Sequence, residues 1–333
     1  MVAVPVSPSR PAIAVEGLVK RYGEFEAVKG ISFDVAQGET FGFLGPNGAG
    51  KSTTISMLCT LINPSGGRAL VDGFDEVADQ MEVRRRIGLV FQDTTLDDYL
   101  TAEENLRFHA ELYGVRRDLV PERLRRVMEM VGLWERRNSV VRTFSGGMKR
   151  RLEIGRGLLH SPRVLFLDEP TVGLDPQTRA SIWDYINQLK RQEQITMFLT
   201  THYMDEAENC DRIAIMDGGQ IVRIDTPEAL KASVGQDRVE IHTDNDEQAI
   251  AVIEARFGLK ATMSEGLVTL HVPAGEEFVP RLFADLGIPI LSVRVSRPTL
   301  DDVFMSYTGR TIRDAEASAS DRLKSSPMAR TRR

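Results

Sequence analysis

Apolar positions along this chain fall into two alternating rhythms. Between Ile13 and Gln92 short apolar runs, 31–35, 40–44 and 87–91, are separated by Gly and Asp turns, as strands are. A helix is predicted to open after the second run and continue from Ser52 to Leu61. From Thr101 the spacing becomes helical. Thr101 and Glu104 have the spacing of a capping box, Gly114 is a stop signal, and 121–132 reads as a helix with Pro121 in its first turn. A fourth helix is expected over 149–159, followed by strand-like 164–167 and 195–200. Runs 213–216 and 221–224 form a hairpin pattern across Asp217-Gly218-Gly219-Gln220. This order predicts an α/β domain over 13–235, interrupted by a helical insert at about 93–160. A smaller α+β domain, 236–310, is expected from strand-like 239–243, 267–272 and 290–295 with helix-like 247–257 and 277–286. Residues 1–12 and the polar stretch 311–333 read as disordered.

Composition narrows the class. A length of 333 residues with 42% hydrophobic and 27% charged positions fits about two ordinary globular domains. A net charge of -6 argues against general nucleic-acid affinity. The stretch 52–67 lacks Asp, Glu, Lys and Arg but is broken by Ser, Thr, Asn and Pro, so no membrane span is expected. The first residues lack a charged region followed by an apolar run, which speaks against a secretory leader. Cys59 and Cys210 are too isolated for a metal site or a disulfide framework, and the expected setting is a reducing cytosol.

Three motifs carry candidate chemistry. Gly45-Pro46-Asn47-Gly48-Ala49-Gly50-Lys51-Ser52 is a phosphate loop between a strand and a helix. Its backbone N–H groups converge on phosphates, Lys51 reaches the β and γ oxygens, and the Ser52 hydroxyl is placed for Mg²⁺, with Thr53 following in the helix. Val164 to Leu167 is apolar enough for a strand buried on both faces, and it ends in Asp168 and Glu169. Asp168 would reach the Mg²⁺ beside Ser52, and Glu169 would polarise an attacking water; standing alone, the stretch reads rather as a core strand that ends in a charged turn. Ser145-Gly146-Gly147 opens a helix, where unsatisfied amides and the macrodipole favour an anion. His109, His160, His242 and His271 have no motif context and read as structural or surface residues, and Met57, Met128 and Met130 as packing.

Phosphate loop, Gln92, the Ser145 to Gly147 signature, the paired carboxylates and His202 occur in an order that resembles the nucleotide-binding subunits of ABC transporters over about 13–232. The resemblance implies an ABC ATPase core with a helical subdomain, working on ATP with Mg²⁺. It implies a head-to-tail homodimer in which Ser145, Gly146 and Gly147 of one chain close over the γ-phosphate held by Lys51 of the other. It makes Gln92 the sensor of Mg²⁺, Gly173-Leu174-Asp175 the loop that reaches across the dimer, His202 the γ-phosphate switch, and Tyr22 the aromatic that stacks on adenine. Phe144 and Met148 depart from the commonest signature, but both flank the phosphate-contacting residues.

Leu300-Asp301-Asp302-Val303-Phe304-Met305-Ser306-Tyr307-Thr308-Gly309-Arg310, together with Phe144 to Arg151, is similar to the drug-resistance exporter group that includes daunorubicin resistance subunits. That similarity implies export through a separate integral membrane permease, with this chain peripheral on the cytoplasmic face of the membrane. The alternative is a soluble ABC ATPase acting on nucleic acid or ribosomes, which would show a long coiled-coil insertion or a second cassette. A P-loop kinase or GTPase would account for Gly45 to Ser52 but leave Ser145 to Gly147 and His202 unexplained.

Overall fold

A computed structural model describes residues 10–264 and 266–309. The tail at 311–333 and residues 1–9 lie outside this range, whereas Ala12 is buried and its N–H donates to Val35 O at 2.8 Å. The described residues form two compact units, the first ending at Ile224 and the second beginning at Asp225.

The first unit holds two sheets. An antiparallel sheet contains strands β1 (Ile13–Tyr22) and β2 (Phe25–Val35), and beyond β3 (Thr40–Leu44) the chain adds β4 (Gly66–Val71) and β5 (Phe74–Asp75) to it, in the order β2-β1-β4-β5. The other sheet has the order β10-β9-β3-β8-β7-β6, with β6 at Ile87–Val90, β7 at Val164–Asp168, β8 at Thr196–Thr201, β9 at Arg212–Asp217 and β10 at Gln220–Asp225. From β9 to β6 every pairing is parallel. Parallel strands need crossovers that cover both faces, and this is why Val164 to Leu167 are all 0% exposed. Phe33 of β2 meets Phe41 and Phe43 of β3 and Phe198 of β8 at ring distances of 5.5, 5.1 and 5.9 Å, joining the two sheets in one aromatic core.

Helix α1 (Lys51–Leu58) follows β3, and α2 (Gln80–Arg86) precedes β6. The expected helix to Leu61 stops earlier, because Cys59 caps it and Thr60 turns to φ 59°. Between β6 and β7 the chain leaves the sheet for α3 (Ala102–Leu112), α4 (Val120–Met130) and α5 (Gly146–Leu158). The capping box at Thr101 is present, and Gly114 ends this turn at φ 66°. Helices α6 (Pro176–Glu193) and the short α7 (Met204–Ala207) follow β7 and β8; like α2, they have no counterpart among the sequence expectations.

In the second unit α8 (Pro227–Val234) precedes an antiparallel sheet of order β12-β13-β11-β14, formed by β11 (Asp237–Thr243), β12 (Ala261–Ser264), β13 (Leu267–Val272) and β14 (Ile290–Ser296). Val239, Ile241, Val268 and Leu270 from the sheet share a core with Ile253 of α9 (Asp246–Phe257) and Leu282 of α10 (Gly275–Asp285). The chain ends its described part in α11 (Leu300–Thr308), with Leu300, Val303 and Phe304 buried. Composition places the domain boundary after Gly235, but α8 lies in the second unit: Ser233 hydrogen bonds Tyr307 of α11 at 3.0 Å.

Candidate functional site

Because β3, β7 and β8 run parallel side by side, the segments leaving their carboxyl ends all emerge on one edge of the sheet. The register sets Leu44 opposite Thr201 and Asp168 opposite Thr200. Thus the phosphate loop, the paired carboxylates and His202 are delivered to the carboxyl ends of neighbouring strands, where open parallel sheets bind ligands.

The loop is shaped by close approach and by a left-handed turn. A Cβ at Gly45 would stand 2.1 Å from Met216 O, and Gly50, the residue before α1, has φ 104°. Past it, the first-turn N–H groups of α1 have no intrahelical acceptor and face the loop with the positive end of the helix dipole. Lys51 is 4% exposed; its Nζ donates to Gly45 O at 2.6 Å and to Pro46 O at 3.1 Å.

Two carboxylates complete the centre, each in a different environment. Ser52 Oγ donates to Asp168 Oδ1 at 3.0 Å, and Thr200 Oγ1 donates to the same oxygen at 2.5 Å. Burial pushes the Asp168 carboxyl up, against those two hydrogen bonds. Glu169, 6% exposed, adopts φ 44°, a region that non-Gly residues enter where surrounding structure holds them. Its N–H donates to Thr200 Oγ1 at 3.1 Å, and its Oε1 lies 3.3 Å from His202 Nδ1 and 3.6 Å from Lys51 Nζ. Burial alone would raise this carboxyl, but the His202 hydrogen bond and the Lys51 ammonium hold it below its usual value. One group stays ionised beside a cation and an imidazole, while its neighbour is a buried carboxyl that accepts from two hydroxyls.

Lys51, Ser52, Asp168, Glu169 and His202 are therefore joined directly. Gln92 follows β6 and is exposed, and Tyr22, 51% exposed at the end of β1, lies 5.2 Å under Lys20 Nζ. Ser145 Oγ accepts the Met148 N–H and caps α5; among the described residues no hydrogen bond joins Ser145, Gly146 or Gly147 to the phosphate loop of the same chain. Asp175 caps α6, accepting from Thr178 N at 3.0 Å and Thr178 Oγ1 at 2.6 Å. His160 stacks on Tyr113 at 4.1 Å and bonds Ile87 O, a packing role.

Sequence patterns missed a supporting layer. Glu206, 1% exposed, accepts from Thr201 Oγ1 at 2.6 Å and from Thr171 Oγ1, tying the residue before His202 to the segment leading to Asp175. Arg179 lies 3.9 Å over the Tyr203 ring, which in turn sits 4.0 Å from the His202 ring. The one available signal was Thr200-Thr201 directly before His202, a pair of hydroxyls following the apolar run Met197 to Leu199.

Residues 28–172 match the ABC transporter family model, and residues 226–308 match the C-terminal domain of DrrA1-3-like ATP-binding proteins. The linearmycin resistance ATP-binding protein LnrL of Bacillus subtilis is 40% identical over 311 residues, 91% of this chain and 100% of that protein. The chain belongs to the ATP-binding subunits of ABC transporters. The daunorubicin resistance ATP-binding protein DrrA3 of Streptomyces coeruleorubidus is 38% identical, with 92% of this chain and 98% of that protein covered. A dimeric ATP-binding cassette in a post-hydrolysis state with ADP and phosphate superposes with a TM-score of 0.58 and 27% identity, covering 64% of this chain and 98% of that one. This ABC subunit is accordingly an ATP-hydrolysing enzyme whose fold supports ATP-driven transport with a separate membrane subunit. Among its described residues no helix is long and apolar enough to cross a membrane.

Proposed function

We propose that this subunit drives export of a drug-like or other hydrophobic substrate through a separate integral membrane permease, working as a head-to-tail homodimer that encloses two ATP molecules. The observation that carries the reading is the cluster at the carboxyl ends of β3, β7 and β8, where Lys51, Glu169 and His202 meet beside the Ser52–Asp168 pair. Lys51 and His202 hold the γ-phosphate, the loop residues 45–53 cradle the β and γ oxygens, and Tyr22 stacks on adenine. Glu169, kept ionised, takes a hydrogen bond from the attacking water and aligns it with the phosphorus. Ser145, Gly146 and Gly147 cap the nucleotide from the partner chain, and Asp175 contacts the partner at the same boundary.

Mg²⁺ fits the oxygens present. Ser52 Oγ and Asp168 Oδ1 are hard donors 3.0 Å apart, and burial of Asp168 creates a need for positive charge. No cluster of three or more His, Cys, Asp or Glu side chains suited to a metal occurs among the described residues. Such a donor set suits an ion that keeps waters and binds mainly through nucleotide phosphates. Ser52 and Asp168 would hold the ion, which would supply positive charge to offset that developing on the phosphates. Gln92 is the proposed link from this ion to the insert at about 93–160.

Closure on two nucleotides reorients the insert against the permease, and hydrolysis releases it. This places the subunit at the cytoplasmic face of the membrane. The cassette is assigned to residues 13–235 and the accessory domain to 236–310 in this reading, with α8 grouped by the fold with the latter. Purifying tagged Glu169→Gln chain from detergent-solubilised native cells with ATP and Mg²⁺ tests the assignment. A stoichiometric multi-span membrane protein is expected; ribosomal or DNA-bound partners with no membrane protein would contradict export.

A further inference from the structure

Arg150 lies inside α5, 6% exposed, and four of its five hydrogen bonds go to main-chain carbonyls. Nε donates to Pro170 O at 2.5 Å, and Nη2 donates to Asp168 O at 3.2 Å and Glu169 O at 3.3 Å. Nη1 donates to Phe91 O at 2.5 Å and to Glu153 Oε2 at 3.1 Å. Glu153, itself 1% exposed, accepts the Thr95 N–H on its other oxygen at 2.7 Å. These two side chains bind together the end of β7 that carries Glu169, the segment from Phe91 to Thr95 that carries Gln92, and the helix capped by Ser145.

A guanidinium presents donors in a rigid planar fork, so it fixes directions as well as distances. Here the fork grips the peptide units on both sides of Glu169, whose φ of 44° needs outside support. The fork therefore ties α5 directly to the backbone that aims the Glu169 carboxylate. One turn earlier in α5 the chain is equally constrained: a Cβ at Gly147 would come within 2.5 Å of Thr178 Cγ2, so the signature turn is seated against the start of α6.

We propose that Arg150 is a positioning residue that couples the two nucleotide sites of the dimer, transmitting engagement of Ser145 to Gly147 on the partner's nucleotide to Glu169 of the same chain. The coupling rests on the head-to-tail dimer proposed above. In that dimer the two ends of this link serve different ATP molecules. Hydrolysis at one site then depends on occupancy of the other, which is cooperativity built from a single helix turn.

Steady-state hydrolysis against ATP concentration is measured for the full chain and for Arg150→Lys and Arg150→Gln, alongside binding of a fluorescent ATP analogue and thermal melting. Lysine keeps the charge without the fork, and glutamine keeps an N–H donor without the charge. The expected result is a kcat lowered about 10- to 100-fold in both, as for small misplacements of catalytic groups. The Hill coefficient falls from nearly two, the number of coupled sites, toward about one. Analogue affinity stays near wild type, and the melting temperature falls less in Arg150→Lys, which leaves a cation beside the buried Glu153, than in Arg150→Gln. Affinity kept while kcat and cooperativity are lost is a separation that a purely structural role would not produce. Wild-type kcat and cooperativity in both variants would overturn the proposal, as would a wild-type enzyme without cooperativity. Parallel collapse of affinity, melting and kcat in both variants would also overturn it. The premise is checked apart, in Glu169→Gln with Arg150 intact: no ATP-dependent dimer there removes the dimer itself. A dimer there combined with unchanged cooperativity in Arg150→Lys removes only the coupling role.

Discussion

At the scale of residues, the centre works by holding one carboxylate ionised against burial. Lys51 and His202 do this for Glu169, and the same contacts set the expected phenotypes. Glu169→Gln keeps shape while removing the charge, so ATP binding is retained and turnover falls at least about 100-fold, the scale of losing a general base; phosphate release at saturating ATP is the check. Lys51→Ala removes the cation that meets the phosphates and is expected to weaken ATP binding, measured by titration; unchanged affinity would contradict the site. Away from the centre, burial and then the Arg156 guanidinium lower the His109 imidazole from 6.5 to about 4. The folded protein disfavours protonation there, so this contribution is present above pH 6.5 and is lost as pH falls toward 4. Between pH 7 and 5.5 that amounts to at most about 1 kcal/mol, and His109→Gln is expected to flatten the acid side of a melting-temperature profile. Lys51 and Ser52 were legible from the spacing of the phosphate loop, and Asp168 and Glu169 from the end of an apolar run, whereas His202 was reached only through the family resemblance. Arg150 and Glu206 were not legible, since their partners, Phe91, Pro170 and Thr171, lie far along the chain and are engaged partly through main-chain atoms that carry no sequence signal.

At the scale of elements, legibility followed the sharpness of local signals. The run Val164 to Leu167 read as a fully buried strand because parallel pairing demands apolar residues on both faces. The hairpin at Asp217 to Gln220 and the cap at Thr101 were equally plain. In contrast α2 buries Val83 alone and advertises no apolar face, whereas α6 carries Ile182, Tyr185, Ile186 and Leu189 at i, i+3, i+4 and i+7 behind the Asp175-Pro176 start, a legible stripe that is missing from the sequence expectations. The Thr101 cap is directly testable. Thr101 Oγ1 accepts the Glu104 N–H at 3.2 Å and Glu104 Oε2 accepts the Thr101 N–H at 2.8 Å. Thr101→Ala is expected to cost about 1 kcal/mol in denaturant unfolding. Its turnover per folded enzyme should remain near wild type, because α3 holds no residue of the centre.

At the scale of the whole molecule, the two ends of the proposed machine sit on one chain but serve different sites. Ser145 caps α5, and among the described residues no hydrogen bond joins Ser145, Gly146 or Gly147 to the phosphate loop of the same chain, while Arg150 of the same helix grips the backbone of Glu169. A second copy supplies what one chain separates, and transport then follows from closing and reopening that pair. The decisive measurement is the mass of purified Glu169→Gln chain in solution by light scattering, with and without ATP and Mg²⁺. The account predicts the mass of one chain without nucleotide and of two chains with it, and loss of the pair when Ser145 is replaced by a bulky residue. A single-chain mass under saturating ATP and Mg²⁺, with nucleotide shown to be bound, would contradict the account.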